Sequence, residues 1–165
     1  ILNSNGIVNF ADAQFDMVRL GIGLYGVSGD KSVSLQSVLS LKTYISQIKM
    51  VDAGEPVGYG LSYIAPHTIK IAIIAIGYAD GLDRRYSNGG GHVLIDNQLA
   101  PVIGNVCMDM AIVNITEISS AYVGKEVLIF GNELSLNEIA DRLGTIPYEI
   151  ISSISTRVKR VYIEE

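Results

Sequence analysis

A single cysteine, Cys107, stands in 165 residues. No disulfide can therefore form within the chain, and the composition is compatible with a reducing compartment. Positive charge is scarce: 12 Lys and Arg against 17 Asp and Glu leave a formal net charge of −5. No basic patch stands out, which argues against nucleic acid as the main partner. No apolar run reaches the roughly 18 residues that a membrane span needs, and nothing resembles a signal peptide. The chain opens at Ile1 without a methionine, and we expect it to be a fragment of a longer protein. It has no internal repeat and no low-complexity tract. Burial, in contrast, is plentiful. Hydrophobic residues make up 48% and mean hydropathy is +0.34, enough for one ordinary domain with a real core.

From Val38 to Tyr162 the pattern is mainly β. Leu39, Leu41, Thr43, Ile45 and Gln47 alternate with Ser40, Lys42, Tyr44, Ser46 and Ile48 at a period near two. Ile69 to Ile76 is a nearly continuous apolar run, expected as a strand buried on both faces. His92–Ile95, the turn pair Asp96-Asn97, and Gln98–Ile103 read as a hairpin. Met110–Ile115 and Glu126–Phe130 supply two more strands, and Ser155–Tyr162 is expected to return to strand. So many short strands predict a barrel or a sandwich. One helical interruption is clear. Ser135 and Glu138 form a capping-box pattern before Ile139, Ala140 and Leu143, Gly144 is placed to end that helix, and Pro147 can begin another through Ile151.

The first 26 residues do not look like the start of a domain. Asn3-Ser4-Asn5-Gly6 reads as a polar turn, Met17–Gly26 as an apolar strand, and residues 27–36 as a linker. Arg19 lies inside the apolar run. A buried arginine needs partners and points to a polar site; an arginine at a strand edge needs none, and both readings stay open. Gly21 and Gly23 permit close backbone approach, for example to an anion held by amide N–H groups.

The stretch Val57-Gly58-Tyr59-Gly60 is the most suggestive chemically. Two glycines free the backbone and bare the ring on both sides. Such a phenol can be presented outside its own element as a general acid or base, although its unperturbed pKa of about 10 requires help at neutral pH. On these residues alone, the reading of an aromatic at a strand end as an ordinary packing residue is the stronger one.

Motifs in series resolve much of this. Asn3-Ser4, Val18–Gly26, Val57–Gly60, Ile76–Gly81 with Arg84-Arg85, Cys107-Met108-Asp109, Tyr148-Glu149 and Ile154–Arg160 together resemble the C-terminal portion of the alanine racemase family, fold-type III pyridoxal-phosphate enzymes. The resemblance covers nearly the whole chain. It implies residues 1–35 as the end of a cofactor-binding α/β barrel of the TIM type plus a linker. Residues 36–165 then form a mainly β, barrel-like C-terminal domain. It implies a cytoplasmic bacterial enzyme that interconverts L- and D-alanine and supplies D-alanine for peptidoglycan. By resemblance, Tyr59 is one of two catalytic bases. Ser4 and the backbone of Gly21 and Ile22 hold the cofactor phosphate, Thr156 stands at a further cofactor-binding position, and Arg19 faces the pyridine nitrogen. The Met108 backbone contacts the substrate carboxylate, and Tyr78 and Arg84 line the entry to the site. No metal is implied. The second base is a cofactor-anchoring lysine near the start of the full protein. None of Lys31, Lys42, Lys49, Lys70, Lys125 or Lys159 has its motif. In the family's head-to-tail homodimer the two bases come from different subunits, so Tyr59 would serve a partner's barrel and the isolated chain would be inactive.

Two departures stand out. The family usually has a tyrosine touching the cofactor phosphate where this chain has Thr156, and Gly-Arg where it has Gly104-Asn105. Both exchange a large group for a smaller polar one. They are either drift or the mark of a roomier pocket. The alternatives are therefore a serine/alanine racemase of the glycopeptide-resistance type, whose parent carries a membrane domain, or a non-catalytic β-domain that serves as an interaction module.

Overall fold

The computed structural model describes residues 1–30 and 32–163. Lys31 of the expected linker and the last two residues of the expected β-domain lie outside the described residues. The strands are β1 (Leu41–Val51), β2 (Pro56–Val57), β3 (Tyr63–Ile64), β4 (Ile69–Ile74), β5 (His92–Ile95), β6 (Gln98–Ile103), β7 (Ala111–Asn114) and β8 (Glu126–Phe130). The helices are α1 (Ser4–Asn9), α2 (Leu136–Leu143) and α3 (Pro147–Ser152). Six strands close a barrel in the order β1-β4-β7-β6-β5-β8, and every neighbouring pair is antiparallel. Of the two β architectures expected, the fold is the barrel.

Closure rests on β1, which serves two neighbours. Leu41–Tyr44 pair with β8, and Ile45–Val51 pair with β4. A bulge between Ile45 and Gln47 marks the change. The expected alternation holds as far as Ile45 and then shifts phase: Gln47 is exposed, and Ile48 packs against the core instead. The extra residue of a bulge flips the faces of everything after it. β4 is buried on both faces through Ile69, Ile71, Ala72 and Ile74, as the apolar run predicts. The β5–β6 hairpin turns on Asp96 and Asn97, both at positive φ (47° and 60°), the type I′ geometry that suits strand twist.

The interior is filled by Ile45, Ile74, Val93, Ile95, Val102, Val113 and Val127, each at most 1% exposed. Burying one such side chain contributes about 1.5–3 kcal/mol. Exposed ion pairs contribute ~0–1 kcal/mol each, so apolar burial sets the frame. α2 lays Leu136, Ile139, Ala140 and Leu143 on the barrel. Ser135 and Glu138 cap it reciprocally, and Gly144 ends it at φ 66°. A second cluster of Val51, Val57, Ala65, Ile69, Ile71 and Ile103 seats the β2–β3 ribbon against the barrel wall.

Three local expectations are corrected. Asn3–Gly6 is not a free turn: the Asn3 side chain accepts from the Gly6 amide and caps α1. Met17–Gly26 is not a regular strand. It makes one parallel bridge, Leu2 with Val18, and then coils into a 3₁₀ turn at Ile22–Tyr25. The Gly21 and Gly23 amides, which a ladder would use, go to the Ser4 hydroxyl instead. Ser155–Tyr162 is irregular, because the Arg160 guanidinium takes the carbonyls of Ile154, Ser155 and Val158. Within the expected linker, Val27 is buried in the core, and the Ser28 carbonyl accepts from the Asn137 side chain.

Candidate active site

Tyr59 stands at the tip of the β2–β3 ribbon, and its residue is 82% exposed. Gly58 (φ 81°, ψ 178°) and Gly60 (φ 75°, ψ 12°) form the bend on either side of it. The first conformation is essentially open to glycine alone, and the second strongly favours it. Below the tip, Val57 is buried in the second apolar cluster. Above it, the Asn105 amide Nδ2 donates to the Tyr59 carbonyl at 2.9 Å. The ring is thus bare while its backbone is held from two directions.

The loop that carries Asn105 also carries Met108, which is 54% exposed. The Cys107 and Met108 carbonyls accept from the Tyr78 and Ala79 amides, each at 3.0 Å. This contact needs Gly77: a Cβ there would stand 2.3 Å from both the Cys107 and the Met108 carbonyl oxygens. Asp80 accepts from the Gly77 amide at 2.9 Å and from Arg157 Nε at 2.7 Å. Arg157 Nη2 reaches Asp109 at 2.6 Å. Burial pushes the Asp80 carboxyl up, but the Arg157 guanidinium and the Gly77 amide outweigh it and hold the group below the ordinary aspartate value. One arginine therefore ties the Tyr78 and Met108 loops to the segment containing Thr156, which is itself exposed. Arg84 is exposed on the 3₁₀ turn Arg84–Gly89. That turn reaches the same loop through Asn88 and Ser87, which bond Asn105 and the Val106 amide.

A second group lies in the N-terminal segment. The buried Ser4 hydroxyl receives the Gly21 amide at 2.9 Å and the Gly23 amide at 3.1 Å. Arg19 is exposed rather than buried, which corrects the buried-arginine reading. Its Nη1 lies 3.0 Å from where a Gly21 Cβ would stand. The Ser4 hydroxyl accepts from both amides and so keeps its own proton to donate; with the Arg19 guanidinium, beside side-chain-free backbone, it forms a donor set suited to a phosphate and a ring nitrogen. Ile22, expected to act through its backbone, buries its side chain in the apolar core.

Hydrogen bonds thus link the loops of Tyr59, Tyr78, Arg84, Met108 and Thr156 at one place. Ser4, Arg19, Gly21 and Ile22 form a separate group, and among the described residues no hydrogen bond joins the two. Sequence reasoning missed Asn88, and it missed that Arg157 binds Asp80 and Asp109. Those pairs are 77 and 48 residues apart, and no local pattern announces them.

The sequence profile of the family described as "Alanine racemase, C-terminal domain" matches residues 38–162. The chain belongs to the alanine racemase family. It is 38% identical over 169 residues to the alanine racemase of Desulfosudis oleivorans, with 97% of this chain and 43% of the relative covered. It is 42% identical to alanine racemase 2 of Caldanaerobacter subterraneus, covering 99% of this chain and 44% of that one. The crystal structure of alanine racemase from Bartonella henselae with covalently bound pyridoxal phosphate superposes with a TM-score of 0.93 at 38% identity. There the match covers 98% of this chain and 46% of the other. The chain thus spans less than half the length of the relatives it matches, and its barrel is the C-terminal domain of the family.

Proposed function

We propose that this chain is the C-terminal part of a pyridoxal-phosphate-dependent racemase that interconverts L- and D-alanine. Residues 1–35 then close the cofactor-binding barrel of the parent, and residues 36–165 form its β-domain. The observation that carries this reading is the bare phenol of Tyr59 on a Gly-Tyr-Gly bend beside the Met108 and Tyr78 loops. A phenol so exposed is incomplete by itself. It has a use only against a surface that this chain does not supply, in keeping with a head-to-tail homodimer in which it enters the partner's barrel.

The donor set around Ser4 suits the cofactor, with the Ser4 hydroxyl and the backbone of Gly21 and Ile22 at the phosphate and Arg19 at the pyridine nitrogen. When bound, pyridoxal phosphate supplies the electron sink for negative charge at the substrate Cα. Arg19 is effectively never deprotonated, so it bonds the ring nitrogen without giving it a proton. Tyr59 takes the Cα proton of the L-amino acid on one face and returns it in the reverse direction. The lysine that the family places upstream serves the other face. The Met108 backbone holds the substrate carboxylate, and Tyr78 and Arg84 shape the entry. No helix of the described residues is long and apolar enough to cross a membrane, and a cytoplasmic enzyme is our reading. Among the described residues no group of His, Cys, Asp and Glu is placed to hold a metal, and the reading requires none.

Tyr59→Phe in the complete enzyme is the test. It keeps the ring and removes the proton-transfer group. Loss of a positioned acid or base should slow conversion of L-alanine by ~10²-fold or more, with little change in substrate affinity. Near wild-type racemisation in both directions would refute the assignment.

A further inference from the structure

The Tyr59 bend has little of its own to hold it. Its flanking residues are glycines, and Leu61 is exposed like Tyr59. Its internal bond, from the Leu61 amide to the Gly58 carbonyl, is 3.2 Å. What reaches the tip from the rest of the chain is the Asn105 amide, at 2.9 Å on the Tyr59 carbonyl.

Hydrogen-bond chemistry fixes how Asn105 must be oriented. A carbonyl only accepts, so Asn105 must turn its Nδ2 toward Tyr59. Its Oδ1 is then free to accept from Asn88 Nδ2, and it does so at 3.2 Å. The two loops below are joined at three points. Besides the side-chain pair, the Asn88 amide donates to the Gly104 carbonyl at 2.9 Å, and the Val106 amide donates to the Ser87 hydroxyl at 3.0 Å. Asn88 takes φ 53°, a left-handed conformation that asparagine tolerates better than most residues. Asn105 therefore stands on a braced footing, with its donor directed at the backbone of the one residue whose direction matters.

We propose that Asn105 is a positioning residue. Its side-chain amide holds the Tyr59 carbonyl and thereby sets where the phenol points, using the 84–89 turn as its support. The proposal rests on the reading of Tyr59 as a proton-transfer group. Three substitutions separate the parts. Asn105→Ala removes both of its side-chain bonds. Asn105→Asp keeps the acceptor for Asn88 and replaces the donor to Tyr59 by a charged acceptor. Asn88→Ala removes the support and leaves the donor.

Hydrogen exchange of the segment 57–63, read by mass spectrometry on this chain, reports the order of the bend without any activity. A single hydrogen bond shifts such an equilibrium by about 2- to 12-fold. Asn105→Ala and Asn105→Asp should both speed exchange there by that factor. Asn88→Ala should do so less, and exchange of the barrel strands should be unchanged. If Asn105→Ala fails to fold, the aspartate variant carries the test, because it conserves shape. Unchanged exchange at 57–63 in Asn105→Asp overturns the proposal. In the complete enzyme, Asn105→Asp should lower kcat for L-alanine by at least the same factor while KM stays within about 2-fold. A loosened bend with unaltered kcat, in an enzyme that Tyr59→Phe does disable, also overturns it. If Tyr59→Phe leaves racemisation intact, the proton-transfer reading falls by itself, and the exchange result still decides whether Asn105 anchors the bend.

Discussion

Replacing Gly58 by alanine is the most direct way to ask whether the shape of the Tyr59 bend matters. The added Cβ meets no obstacle. It would stand 3.5 Å from Gly104 Cα and 3.6 Å from the Asn105 amide nitrogen, ordinary contact distances. The cost is therefore conformational. At φ 81° and ψ 178° a side chain is strained by about 1–3 kcal/mol. Either the whole domain bears that strain, or the bend rearranges. Rearrangement forfeits the Asn105 bond, worth about 1 kcal/mol net, and disturbs a ribbon only two residues long on each side. The upper half of the strain range exceeds this, so the bend should give way and the domain should lose about 1 kcal/mol. For a chain of this size that is a fall in Tm of about 2–4 °C. Gly54→Ala is the control. Gly54 also has positive φ (84°), a Cβ there meets nothing within 4 Å, and it lies in the separate Asp52–Glu55 turn. Melting of both variants by circular dichroism should show similar small losses. Racemisation of L-alanine by the complete enzyme should fall ~10²-fold for Gly58→Ala, the scale on which a 1 Å misplacement acts, and stay within about 2-fold for Gly54→Ala. Equal activity in the two variants would refute the argument.

The Arg157 bridge should matter for binding more than for folding. Arg157→Ala should raise KM for alanine several-fold, through the Met108 loop, while shifting Tm little, because exposed ion pairs contribute weakly. Asp80 is a stronger acid folded than unfolded. Its pairing therefore adds stability above the unfolded value of about 3.9 and loses it as pH falls through the lower folded value. Any Tm difference between wild type and Arg157→Ala at pH 7 should shrink in strong acid, and a difference that grows there would contradict the assignment. Thr156 lies between Ser155, whose amide bonds the Asp80 carbonyl, and Arg157. If it enlarges the pocket, Thr156→Tyr should depress kcat/KM for L-serine more than for L-alanine. An unmoved serine-to-alanine ratio would mark the threonine as drift.

Elements that close their own hydrogen bonds within a few residues were legible from residue order. The Ser135–Glu138 cap and the Asp96-Asn97 turn follow from neighbours in sequence; the doubly buried Ile69–Ile74 strand, whose ladder partners lie in β1 and β7, was legible from its apolar run alone. So was the Gly-Tyr-Gly bend, because glycine can relax there without regard to what surrounds it. Other features depended on partners far along the chain. The phase of β1 changes after Ile45 because that strand exchanges β8 for β4 as its neighbour. The run Met17–Gly26 coils because the Ser4 hydroxyl, 17 and 19 residues away, captures two of its amides. Ser155–Tyr162 forms no strand because an arginine side chain takes the carbonyls a ladder would need. Asn105 reads in sequence as a small polar replacement for an arginine. Only folding sets it 2.9 Å from a carbonyl 46 residues earlier. A hydrogen bond depends on distance and direction in space, and residue order determines those only over the reach of a turn.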